Sequence, residues 1–197
     1  MAAAVTRRTV IQRAAMGGAA ILGAGSVLPG PADAEPSGEG DVRHLRLALS
    51  LEYLQARFYS QAATAGSIAP PLLAFARVAA GHERTHIATL RALLGAAAGD
   101  PPRVDLWQVA ADDAAFVYTA TRLEDLAVRA LNGQAAQLTS RALAETARVA
   151  SVDARHAAWI RGLAGVTPEH HVRDEGRSAD EVAEVLERLG LAPDLLP

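Results

Sequence analysis

One pattern occurs twice in this chain and limits its fold more than any other feature. A lone glutamate is followed, some way along, by an acid and a histidine three positions apart. The first copy is Glu52, then Glu83-Arg84-Thr85-His86; the second is Glu124, then Asp153-Ala154-Arg155-His156. The lone glutamate precedes the acid by 31 positions in one copy (52 to 83) and 29 in the other (124 to 153). Residues three apart share a helix face. Four helices turning these groups inward would gather four carboxylates and two imidazoles, the donor set of a two-metal site in a four-helix bundle.

The intervening sequence supplies four such helices. Alanine and leucine dominate, aromatic residues are 4% of the chain, and β-branched runs are absent, which is helical composition. A first helix is expected over about Asp41 to Ala65, with Leu45, Ala48, Glu52, Gln55 and Tyr59 on its inward stripe. Gly66 to Pro71 ends it, and Pro71 suits the first turn of the next helix. That second helix runs to about Leu94 and stops at Gly95. A Gly/Pro break follows to about Val104. A third helix begins between Leu106 and Asp113 and carries Phe116, Ala120, Glu124, Ala127 and Leu131. A fourth ends near Gly165, and Ser178 to Leu189 reads as a short amphipathic helix in a C-terminal tail.

The junction between the third and fourth helices sets two signals against each other. Asn132-Gly133 is the obvious turn dipeptide. Yet ligands on antiparallel helices meet only when they are equidistant from the turn. The midpoint of Glu52 and Glu83 falls in the Gly-Ser-Pro turn; that of Glu124 and Asp153 falls at 138–139. A turn at Asn132-Gly133 would separate the second pair by about 18 Å in height, at about 1.5 Å per residue. The turn is therefore expected at Leu138-Thr139-Ser140, capped by Thr139 or Ser140, with Asn132-Gly133 inside the helix at a kink or bulge.

The halves also align with each other. Leu51-Glu52-Tyr53-Leu54 matches Leu123-Glu124-Asp125-Leu126, and the match extends through the acid-x-x-His pairs to Gly95 and Gly165. Two helical hairpins related by a pseudo-twofold, with the metals on its axis, are the natural outcome.

The N-terminus reads as an address. Thr6-Arg7-Arg8-Thr9-Val10-Ile11-Gln12 looks like a twin-arginine export signal, followed by a Gly/Ala-rich stretch and a small-x-small cleavage site at Ala32-Asp33-Ala34. Residues 1–34 are thus expected to be a signal peptide cleaved after Ala34, residues 35–40 a linker, 41–165 the bundle and 166–197 the tail. Periplasmic or extracellular location follows, with an uncleaved membrane anchor as the other outcome and the twin-arginine translocase as the partner in export. Residues 1–34 hold three arginines and one aspartate, so their removal takes the net charge from −3 to −5, which argues against nucleic acid as a partner. The chain has no lysine and no cysteine, so Schiff-base, thiol and disulfide chemistry are excluded.

Carboxylates with imidazoles and no thiolate favour iron or manganese over structural zinc. On Leu51-Glu52-Tyr53-Leu54, Glu83-x-x-His86, Leu123-Glu124-Asp125 and Asp153-x-x-His156, the chain resembles the ferritin-like di-iron carboxylate proteins, in particular exported ferritin-like domain proteins of the desiccation-related type. The resemblance covers roughly residues 41–165. It implies an all-α four-helix bundle with Glu52, Glu83, His86, Glu124, Asp153 and His156 as ligands of two iron or manganese ions. It further implies ferrous iron oxidation, or oxygen or peroxide handling, with self-association left open. The departure is Asp153, where the family has glutamate. One methylene fewer leaves open whether it bridges both metals or serves one. Tyr59, two turns after Glu52, is either a hydrogen-bond donor behind the site or a core tyrosine.

Two other readings compete. His82-Glu83-x-x-His86 is a literal HExxH, the helix of zinc proteases, with Glu83 as general base. It leaves the other four ligands without a role, whereas in the bundle reading His82 points away from the site. A metal-free bundle serving as an interaction or stress-protective module of the cell envelope is the structural alternative. His170-His171 reads as solvated loop, the arginines at 84, 91, 155 and 161 as partners of acids, Glu145 as a partner of Arg148 or Arg141, and Trp107 and Trp159 as core or edge packing.

Overall fold

The computed structural model describes residues 39–188 other than 103 and 169–173. Every described residue belongs to one compact unit within residues 36–197. The expected export signal, most of the expected linker and His170-His171 lie outside the described residues.

The described residues form helices and no strand. They comprise α1 (Glu39–Ala65), α2 (Pro70–Leu94), a short α3 (Trp107–Ala110), α4 (Asp113–Gln134), α5 (Ser140–Leu163) and α6 (Ala179–Arg188), with single 3₁₀ turns after α2 and α4. None is long and apolar enough to cross a membrane.

Local chemistry sets the boundaries. α1 ends where Gly66, at φ 63°, donates its N–H to the Ala62 carbonyl, a left-handed residue that a side chain would resist. Pro70 and Pro71 occupy the first turn of α2, where no N–H is needed. Asp112 caps α4 by accepting from Ala115 N–H at 2.8 Å. Ser178 and Glu181 form a reciprocal capping box at α6: Glu181 accepts from Ser178 N–H at 2.7 Å, and Ser178 Oγ accepts from Glu181 N–H at 3.3 Å.

α1 packs along α2 and α4 along α5. The two hairpins meet through α1 against α4 and α2 against α5. The turn between α4 and α5 falls at residues 135–139, as the ligand heights require. Thr139 precedes α5 but makes no side-chain cap. Its N–H and Oγ instead donate to the two oxygens of buried Asp41 at the start of α1, at 2.8 and 2.5 Å.

Asn132-Gly133 lies within α4, and Gly133 is not in the left-handed region. The reason for the glycine is non-local. A Cβ at Gly133 would sit 2.2 Å from the Arg177 carbonyl oxygen, and one at Gly176 would sit 2.5 Å from Gly133 Cα. The C-terminal tail crosses α4 backbone to backbone, and Arg177 N–H donates to Arg129 C=O at 2.8 Å. Val182 and Leu186 of α6 then bury themselves in the main core.

Candidate metal centre

The expected stripe of α1 faces inward in full: Leu45, Ala48, Glu52, Gln55 and Tyr59 are all buried. It runs through two apolar clusters. One holds Phe58, Phe75 and Phe116, with Phe58 stacked on Phe116 at 5.1 Å. The other holds Leu45, Leu49, Leu90, Leu94 and Val149. Along α1, α2 and α5 the acids and histidines fall between residues of the two clusters: 52 between 49 and 58, 83 and 86 between 75 and 90, 153 and 156 between 149 and 160.

All six candidate ligands come together, and none is more than 6% exposed. They form two groups of four whose ligand atoms all lie within 4.8 Å of one another: Glu52, Glu83, His86 and Asp153, and Glu83, Glu124, Asp153 and His156. Glu83 and Asp153 belong to both. The Glu83 oxygens divide between the imidazoles, Oε2 at 2.9 Å from His86 Nδ1 and Oε1 at 3.1 Å from His156 Nδ1. His86 Nδ1 also faces Glu52 Oε2 at 3.1 Å and Asp153 Oδ1 at 3.4 Å, and His156 Nδ1 lies 3.5 Å from Glu124 Oε2. The shorter Asp153 side chain therefore still reaches the middle of the cluster.

The electrostatics are those of crowded, desolvated acids. Burial, then the neighbouring carboxylates, pushes Glu52 and Asp153 well above the usual range. Burial raises Glu124 to about 7. Burial also works upward on Glu83, but the imidazoles of His156 and His86 outweigh it and hold this carboxyl at about 2. His156 is lowered by burial yet lifted to about 10 by Glu124 and Glu83. Buried atoms without a hydrogen-bond partner include Glu83 Oε1, Glu124 Oε2, both Asp153 oxygens and His156 Nδ1. Buried polar atoms are normally satisfied, so five orphaned donor-set atoms around one point fit bound divalent cations.

Two residues support this set. The Tyr59 hydroxyl, fully buried, donates to Glu124 Oε1, leaving Oε2 for the centre. Burial and the Glu124 charge raise the phenol far above its ordinary value, so it stays a donor. His82 is exposed and outside both donor groups, but it is not idle. Its Nδ1 lies 2.9 Å from His156 Nε2, and the rings stack at 5.1 Å. Burial, then His156, lowers its pKa, and its contact is made with Nε2 of His156, so Nδ1 of that ring is the nitrogen facing the centre. The available signal was its i, i+4 relation to His86. His82 belongs to neither donor group, as the zinc-protease reading would require. His82, His86, Arg155, His156 and Trp159 line a groove of about 470 Å³ between α2 and α5. Trp159, 41% exposed, edges onto Phe75 at 5.1 Å.

The remaining polar expectations divide. Arg161 pairs with Asp125 and Arg148 with Glu145. Arg91 instead donates to Tyr53 Oη and the Gly99 carbonyl, and Arg155 to Ser151 Oγ. Trp107 is 47% exposed.

A family model for the ferritin-like domain matches residues 40–166. Among proteins of curated function, none matches the chain.

Proposed function

Because this chain belongs to the ferritin-like domain family, we propose that its buried cluster holds two iron or manganese ions and that the protein is an oxidoreductase acting on ferrous iron, oxygen or peroxide. The observation that carries this reading is the sharing of Glu83 and Asp153 between two donor groups, each completed by one glutamate and one histidine. Two metals a few ångströms apart need bridging carboxylates and separate terminal ligands. In this reading Glu52 and His86 would help hold one ion and Glu124 and His156 the other, with Glu83 and Asp153 common to both groups. Oxygen and nitrogen donors without sulfur suit iron or manganese. When bound, such a pair supplies one-electron redox chemistry and a site for a small oxidant.

The chain's own groups do the rest. Tyr59 fixes one Glu124 oxygen through its hydroxyl. His82 engages Nε2 of His156. The groove beside His86 and His156 gives small molecules a route between α2 and α5, while the two apolar clusters exclude bulk water from the opposite sides. The motif at Arg7-Arg8 supports export by the twin-arginine route, which delivers a protein already folded around its metals.

The test is elemental analysis of the purified full chain, expressed with iron and manganese supplied. About two ions per chain, from the two-metal geometry, are expected, lost in Glu83→Ala/Asp153→Ala, with ferrous oxidation or peroxide consumption lost in parallel. A single zinc, or a folded protein without metal, overturns the reading.

A further inference from the structure

The outer face of α4 carries a second polar constellation, turned away from the carboxylate cluster. Tyr118, Arg122, Asp125 and Arg129 follow one another at helical spacing. α5 adds Arg161 and the crossing tail adds Arg177, and together they line a cavity of about 500 Å³. Four arginines line it, and the acid among the described lining residues is Asp125, engaged at 2.5 Å by Arg161 Nη2; Arg161 also donates to the Pro168 carbonyl, and Arg177 lies near Glu181. The chain as a whole has more acids than bases, 22 against 19, so this concentration runs against its average. Arg122 lies over the Tyr118 ring at 4.6 Å, which holds its planar group at the rim. Arg129 Nε is buried and has no hydrogen-bond partner. Val117 and Leu126 form an apolar wall that strengthens any charge contact made there.

We propose that this cavity binds a phosphate-class oxyanion, free or as a phosphomonoester. Guanidinium groups converging from α4, α5 and the tail match an anion with several acceptor oxygens arranged in three dimensions, and Arg offers paired, directional donors for it. The orphaned Nε–H of Arg129 marks the inner end of the site. Arg177 reaches it only because Gly133 and Gly176 let the tail cross α4 in backbone contact, so anion binding and tail docking favour one another.

The test is calorimetric titration of the full-length protein with inorganic phosphate and, separately, with glycerol phosphate, at physiological chloride concentration. Saturable binding of one anion per chain is expected, weakened about tenfold or more in Arg129→Ala and in Arg122→Ala, the loss of one charge-assisted contact. Arg122 is on the exposed rim, so its variant keeps the test open if Arg129→Ala does not fold. Tighter binding of the ester identifies a phosphorylated metabolite, and tighter binding of inorganic phosphate the free anion. Binding must persist in Glu83→Ala/Asp153→Ala, which separates it from phosphate held by metals and from the fate of the redox reading. No saturable binding, equal affinity in both arginine variants, or binding abolished by the double acid variant overturns the proposal.

Discussion

Glu124, Asp153, Glu52 and His156 make the metal-free protein sensitive to pH in one direction. A carboxyl raised in the folded state binds protons there more tightly than in the unfolded chain, so its contribution falls as pH climbs past the ordinary value near 4.5 and, for Glu124, through about 7. His156, lifted to about 10, contributes stability that is complete below 6.5 and fades as pH rises toward that value. Glu83, held at about 2, acts in the opposite sense, but only as pH falls from 4.5. Metal-free protein should therefore lose on the order of 2 kcal/mol between about pH 5 and pH 8, read by urea unfolding at each pH. Stability rising over that window would contradict the buried-acid account. With metals bound the trend should reverse, since ions and protons compete for the same atoms. His82→Ala should lower metal affinity about 10- to 100-fold while the saturated metal count stays the same; an unchanged affinity would reduce His82 to a groove wall. The six inward groups were legible because acid-x-x-His spacing is local and helical. The contact of His82 with His156 was not legible, because it joins positions 74 apart that no local spacing links.

Among the helices, α4 separates what sequence can tell from what it cannot. Its run through Asn132-Gly133 followed from ligand heights alone, against the local turn signal. Its lack of a bulge there did not, because Gly133 answers to Arg177, which no local pattern links to it. The Asp41–Thr139 clasp joining the start of α1 to the turn before α5 was hidden for the same reason. In an unencumbered helix Gly→Ala stabilises by about 1 kcal/mol. At Gly133 the added methyl collides with tail backbone, so Gly133→Ala should instead release α6 and expose Val182 and Leu186, which are 0% and 1% exposed. The net loss should be about 2 kcal/mol, the worth of one or two such side chains after the helix gain. Limited proteolysis at residues 174–178 checks it: the variant is cut and the parent resists. A variant that melts higher than the parent would show that the tail yields without cost.

Across the described residues each hairpin supplies half of the donor set, so the cluster joins α1–α2 to α4–α5 at the level between the two apolar clusters. The symmetry is imperfect where it matters. Tyr59 stands behind Glu124, whereas its counterpart Leu131 lies in the aliphatic cluster and offers no hydroxyl. On the proposed two-metal reading the two positions would be inequivalent, and Tyr59→Phe should alter the donor group of Glu124 and His156 more than that of Glu52 and His86. The larger consequence is a conflict between stability and binding. Acids kept together for a metal burden the fold without one. Asp153→Asn keeps the shape, removes one of the crowded charges and weakens a bridging donor. Without metal at about pH 8, this variant should melt several degrees above the parent, since about 1–2 kcal/mol moves a domain of this size by that much. With metal in excess the order should invert. The parent gains about 2.7 kcal/mol when free ion exceeds its dissociation constant about a hundredfold, and the variant gains less. Paired melting curves with chelator and with ferrous or manganous ion decide the point. If Asp153→Asn is less stable in both conditions, Asp153 is held by packing and not by a metal. If it is more stable in both, the ions draw nothing from Asp153, and the bridge between the hairpins rests on Glu83 alone.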